Sequence, residues 1–130
     1  MLTQSSCPFC TFCASGFVLA NDHAFAVYDG FPVTPGHSLI IPKRHISSFF
    51  EATKEEQAAL LDLVTRMREL LVTQRAPDGF NIGVNDGAAA GQTVMHLHIH
   101  LIPRYLGDTE DPRGGVRWIM PVKAPYWKKC

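Results

Sequence analysis

The sequence predicts an α+β fold, a five-stranded and mostly antiparallel sheet with one long helix, and three observations carry that prediction. Strand-like segments come both before and after a single long helical one. Within that segment Leu60, Leu63, Val64, Met67, Leu70 and Leu71 fall on one helical face. Downstream, His96, His98 and His100 alternate with Leu97, Ile99 and Leu101, the period of a half-buried strand.

The elements follow in order. Residues 7–12 read as a short loop or knuckle. Residues 17–20 and 24–28 read as two strands, with Asn21-Asp22 as the turn and His23 as a turn residue. Asp29-Gly30, Pro32 and Pro35-Gly36 make a loop into a third strand near residues 38–41, which Pro42 ends. Thr53-Lys54-Glu55-Glu56 is a capping box, in which a Thr hydroxyl and a Glu three residues on each satisfy an orphan backbone N–H. The helix behind it ends near Gln74. Residues 80–84 alternate as the fourth strand, and residues 96–102 form the fifth. Beyond Arg104 the pattern fades into Gly, Pro and charge, with aromatics at Tyr105, Trp118, Tyr126 and Trp127. At 130 residues the chain is expected to be one domain, 1–130, with a core over about 7–104 and a variable segment over 105–130.

Lys plus Arg (12) equal Asp plus Glu (12), so no global field draws the chain onto nucleic acid or an anionic membrane. A phosphate-bearing ligand must then be held by local groups. No stretch approaches the roughly 18 apolar residues of a membrane span, and residues 1–15 lack the basic and apolar regions of a signal peptide. The expected location is cytoplasmic. In that reducing setting the four cysteines, three of them within seven positions, point to metal or redox chemistry.

Three of the six histidines share the run 96–100. In a strand their imidazoles project from one face while Leu97, Ile99 and Leu101 anchor the other. A solvated His-rich face is the plain alternative, and strict alternation of three argues against it. Positions i and i+4 lie about 13 Å apart along a strand, so the three cannot all bind one zinc. The other chemistry is nucleophilic catalysis, one imidazole attacking while its neighbours orient it and bind charge. Upstream, the small residues of Asn85-Asp86-Gly87-Ala88-Ala89-Ala90-Gly91 let backbone amides approach an anion, and Gln92 and Thr93 add neutral donors. A phosphate cradle followed by a row of imidazoles favours the nucleophile.

The run Gly91-Gln92-Thr93-Val94-Met95-His96-Leu97-His98-Ile99-His100-Leu101-Ile102 resembles the signature of the histidine triad superfamily of nucleotide hydrolases and transferases. Residues 35–46, with Gly36-His37-Ser38 and Pro42-Lys43-Arg44-His45, look like that family's second segment, and the resemblance covers about residues 7–104. It implies a five-stranded antiparallel sheet with a long helix and a short one, in a homodimer. It implies His98 as nucleophile at the α-phosphorus of a purine nucleotide, forming a nucleotidyl-histidine that water hydrolyses. His100 would contact the phosphate and assist the leaving group, and His37 would bond within the cluster. Asp29 would take the ribose hydroxyls, although alone it reads equally as a turn residue. Asn85, Gly91, Gln92, Thr93 and Val94, with His100, would hold the phosphate.

Cys7-Pro8-Phe9-Cys10 has the spacing of a zinc knuckle, and Cys10-Thr11-Phe12-Cys13 overlaps it, so either pair can serve. A redox pair would want a βαβ context that is missing here, and buried thiols are the third reading. The resemblance to the family's zinc-bearing bacterial branch implies Cys7 and Cys10 with His45 and His96 around a structural zinc. Cys130 reads as a free terminal thiol. Arg104 is open between a distal phosphate and a surface salt bridge, and residues 113–118 fall toward the leaving-group side.

The expected function is hydrolysis at the α-phosphate of a dinucleoside polyphosphate or nucleoside phosphoramidate, without a catalytic metal. The alternatives are a nucleotide-binding adaptor or sensor with little turnover, and a metalloenzyme built on the His-x-His pair.

Overall fold

A computed structural model describes residues 7–13 and 16–128, with only the backbone of Phe12 and Cys13. Cys130 and the Cys13 side chain lie outside the described residues. The strands are β1 (Leu19–Ala20), β2 (Ala24–Tyr28), β3 (Ser38–Pro42), β4 (Gly79–Gly83) and β5 (Ile99–Arg104), and the one α-helix among the described residues is α1 (Lys54–Arg75). The sheet order is β1-β2-β3-β5-β4, and every neighbouring pair is antiparallel. In place of a second α-helix the described residues hold 3-10 turns, among them Phe49–Glu51 with Ser48 as its cap. No helix of the described residues is long and apolar enough to cross a membrane.

The helix starts where its capping box dictates. Glu56 N–H donates to Thr53 Oγ1 (3.1 Å), and Thr53 N–H donates to Glu56 Oε1 (2.9 Å). Glu56 also accepts from Arg44 Nη2 (2.7 Å) and Nε (3.0 Å), which holds its carboxyl down to about 2. At the far end Ala76 takes a left-handed cap at φ 47°, its N–H bonded to Val72 O. The apolar face of α1 covers one side of the sheet. Leu60, Leu63, Val64, Met67 and Leu71 pack there with Ala24, Ala26, Ile40, Leu97, Ile99 and Leu101. Phe25, Val27, Leu39 and Ile41 project from the other side, where Phe9 lies against them.

The histidine strand is shorter than the alternation predicts. It begins at Ile99, not at residue 96, and only Ile99, His100 and Leu101 pair with β3. Pro42 has no N–H to extend the ladder, and its carbonyl accepts from His96 Nε2 (2.8 Å). Leu97 N–H turns away to Ile46 O (2.7 Å). The alternation of core and site survives, because Leu97, Ile99 and Leu101 still face α1. Pro103 sits inside β5 because β3 has ended beside it, and Thr34 Oγ1 bonds its carbonyl (2.6 Å).

Candidate active site and metal centre

The imidazole of His98 is half-buried just before β5. Its Nδ1 lies 2.9 Å from His96 O, and a carbonyl only accepts, so the proton is on Nδ1 and the lone pair on Nε2. The ring is flanked by Phe9, with centroids 4.9 Å apart, and by His100, at 5.1 Å.

His100, on β5, pairs with Leu39 of β3. Its Nδ1 is 2.9 Å from Nε2 of buried His37, one residue before β3. Val33 N–H donates to His37 Nδ1 (3.1 Å), so neutral His37 carries its proton on Nε2 and donates to His100 Nδ1. The proton of neutral His100 is therefore on Nε2. Asp29 Oδ2 lies 3.4 Å from His37 Nε2, and Asp29 Oδ1 accepts from Phe31 N–H (2.8 Å). Burial pushes His37 down against the pull of Asp29. Burial, helped by His98 and His37, pushes His100 down to about 4. Asp29, His37 and His100 also lie close enough to share a cation. The proton on His37 Nε2 instead makes His37 and His100 a hydrogen-bonded relay ending in a neutral donor, with Asp29 beside the shared nitrogen.

The loop before the histidines is braced from within. Gln92 is buried, and its Oε1 accepts from Gly87 N–H (2.8 Å). Its Nε2 donates to Ser47 O (2.8 Å) and Val94 O (3.1 Å). Gly91 adopts φ 94°, a conformation open to glycine. Asn85, Gly91 and Thr93 are exposed, and Val94 is half-buried. Asp86 Oδ2 accepts from Ser48 Oγ and Phe49 N–H, tying the loop to the turn before α1.

Cys7, Cys10, His45 and His96 meet, although 89 residues separate the first from the last. His96 is fully buried and donates from Nε2 to Pro42 O, so its Nδ1 offers a lone pair to the cluster. That nitrogen lies 3.4 Å from Cys7 Sγ, 3.5 Å from Cys10 Sγ and 3.1 Å from His45 Nδ1. Cys10 Sγ is 3.2 Å from His45 Nδ1. Bonds of about 2.0 Å to nitrogen and about 2.3 Å to sulfur give a tetrahedron with N–N edges of about 3.3 Å and N–S edges of about 3.5 Å. Both the donor set and its spacing fit zinc. The cluster is separate from the His37–His100 relay.

Other residues marked in the sequence lie elsewhere. Arg104 forks onto Asp108 (2.8 and 2.8 Å) and reaches Asn81 (2.6 Å), which is the salt-bridge reading. His23 N–H closes a turn on Asn21 Oδ1. Arg113 pairs with Asp111 and stacks on Trp127 (4.6 Å), while Arg117 stacks on Tyr126 (4.8 Å). Trp118 and Trp127 help line a cleft of about 560 Å³ that also includes Arg104. Phe9 was not marked in the sequence. Its place between two cysteines was the available signal, and only the folded knuckle brings it to His98.

The HIT domain family model matches residues 13–107. An Arabidopsis thaliana protein, "Adenylylsulfatase HINT3", is 37% identical over 105 residues, covering 78% of this chain and 53% of its own length. "AP-4-A phosphorylase" of Mycobacterium tuberculosis is 35% identical over 95 residues, covering 72% of this chain and 49% of its own. The chain thus spans about half the length of these two relatives. The crystal structure of a Zn-bound histidine triad family protein from Mycobacterium smegmatis superposes with a TM-score of 0.75. It is 32% identical, covering 84% of this chain and 82% of that one.

Proposed function

The chain belongs to the HIT domain family, and on that premise we propose that it is a nucleotide hydrolase acting at the α-phosphate through a covalent nucleotidyl-histidine on His98. The observation that carries the reading is the bond from His98 Nδ1–H to the His96 carbonyl, which leaves Nε2 as the nucleophilic atom.

The reaction divides into two displacements. His98 Nε2 attacks the α-phosphorus, a P–N bond forms, and the bond to the leaving group breaks. The imidazole becomes cationic, and the His96 carbonyl opposite Nδ1–H stabilises that charge. His100 Nε2–H donates a hydrogen bond to the phosphate and the departing atom, with His37 fixing its tautomer, and the leaving group takes its proton from the solvent. Water then attacks phosphorus and gives its proton to the solvent, the P–N bond breaks, and nucleoside monophosphate leaves with neutral His98 restored. Asp29 takes the ribose hydroxyls. Asn85, Thr93 and the backbone around Gly91 and Val94 hold the phosphate, while Gln92 shapes their loop from behind.

Cys7, Cys10, His45 and His96 would hold zinc, which would supply a structural tie between the knuckle and the histidine segment. The substrate class is a dinucleoside polyphosphate or a nucleoside phosphoramidate with a purine base. The two curated relatives, named for adenylylsulfatase and AP-4-A phosphorylase activity, support that class. A homodimer is the proposed active unit, supported by the exposed Ile82 on edge strand β4. A cytoplasmic location is proposed with this, since a reducing setting leaves Cys7 and Cys10 to a metal rather than to a disulfide.

Intact-mass spectrometry after brief mixing with an adenosine phosphoramidate or a diadenosine polyphosphate tests the reading. An AMP-sized adduct on the wild type, absent from His98→Gly, supports it. Turnover retained in His98→Gly refutes it. Nucleotide binding without AMP release by the wild type would favour an adaptor or sensor.

A further inference from the structure

We infer that the metal knuckle is the positioning device for the nucleophile, and that Phe9 is the side chain through which it acts. The inference rests on the reading of His98 as the attacking group. Three contacts orient the His98 ring: His100 at 5.1 Å lies on one side, and the other two originate in the cysteine–histidine cluster. One is the bond from Nδ1–H to the carbonyl of His96, itself a member of the cluster. The other is the edge-to-face contact with Phe9, at 4.9 Å between centroids and 74° between planes. Phe9 sits between Cys7 and Cys10, and its ring also meets His96 edge-on at 6.1 Å.

An imidazole on its χ2 torsion has a broad, roughly two-fold preference, so its attacking lone pair is aimed only by its neighbours. An aromatic pair of this geometry holds a ring by its quadrupole as well as by its area. When Cys7 and Cys10 are both bound to the metal, the two residues between them have little freedom left. Phe9 is then pressed onto Phe25, Val27, Leu39 and Ile41 beneath it and onto His98 beside it. Within the knuckle, Thr11 Oγ1 donates to Pro8 O (2.8 Å), a bond that closes the turn without reaching the sheet. Phe9 is a positioning residue; it donates and accepts no proton.

The test is a long-range nitrogen–proton spectrum of the zinc-loaded full chain labelled with ¹⁵N-histidine, a readout that needs no substrate. Wild type is expected to show His98 as one tautomer, protonated on Nδ1. Phe9→Ala is expected to average the two tautomers while keeping its zinc, and chelated wild type to show the same averaging. Phe9→Tyr, which keeps the ring, is expected to restore the single tautomer. In turnover, Phe9→Ala should lower kcat about tenfold, the scale of one lost aromatic contact, with KM little changed. If Phe9→Ala does not retain zinc, Phe9→Leu is read in its place, since it keeps bulk and loses the ring. An unchanged His98 spectrum in the zinc-loaded variant overturns the inference. So does a rise in KM with kcat intact, which would make Phe9 a substrate contact. Failure of the nucleophile reading itself would appear separately, as a wild type that forms no adduct and releases no AMP whatever its tautomer.

Discussion

His96 donates from Nε2 to the carbonyl of Pro42 across 2.8 Å, inside the protein. That bond does two things at once. It uses the β3 carbonyl next in line for a β5 partner, and it leaves His96 Nδ1 as a lone pair facing Cys7, Cys10 and His45. The metal centre and the start of the histidine strand therefore share one hydrogen bond.

Zinc content follows from this arrangement. Purified full-length protein is expected to carry one zinc per chain by elemental analysis, and Cys10→Ser to carry much less. Losing a four-ligand tie between the knuckle and the sheet should lower Tm by about 10 °C, a stability loss of a few kcal/mol. An unchanged Tm on chelation would deny the site its structural role.

His37 acts through His100. In His37→Ala the donor to His100 Nδ1 is gone, and His100 can place its proton on either nitrogen. The expected result is a drop in kcat of about 100-fold, the scale of one misplaced hydrogen-bond donor to the transition state. The adduct on His98 should still form, only more slowly. Single-turnover kinetics with a poor leaving group would show the largest effect.

Acid should destabilise the fold in two stages. The folded state pushes His100 from its ordinary 6.5 down to about 4, so between those values the unfolded chain binds more protons. This contribution is complete above pH 6.5 and is lost as pH falls to about 4. Glu56 is held from 4.5 down to about 2, and its contribution is lost over that lower window. Thermal melts from pH 7 to 3 should fall through both windows. Glu56→Gln should flatten the lower one and leave the upper one in place.

Gly36 tests how tightly α1 seats on the loop before β3. Its φ is 88°, and an added Cβ would lie 2.9 Å from both Leu71 Cδ2 and Arg75 Cδ. Arg75 can swing aside, whereas Leu71 is fully buried. Gly36→Ala should therefore cost about 2 kcal/mol, from the unfavourable φ and the crowded core together. Chemical denaturation would measure it as a lower midpoint at unchanged slope.

The elements most legible in the sequence are those specified by their own residues. Thr53 and Glu56 set the start of α1, and the spacing of Leu60 to Leu71 selects the face it buries. Residues 24–28 read as the strand that β2 forms, and alternation turned Leu97, Ile99 and Leu101 toward the core. The motifs at 35–46 and 91–102 marked His37, His98 and His100 as a group before any contact was visible. The rest depended on partners far away in the chain. The pairing of Cys7 and Cys10 with His45 and His96 followed from family resemblance, because no local spacing joins residues so far apart. Where β5 begins was decided by Pro42, which cannot donate to a neighbouring strand. The segment after Arg104 has no periodic pattern because it is ordered by Arg113 on Trp127 and Arg117 on Tyr126, contacts that leave no mark on hydrophobic spacing. Local backbone and burial preferences can be read along a sequence. Which imidazole nitrogen keeps its lone pair depends on which carbonyl or amide the fold brings beside it, and only the tertiary structure decides that.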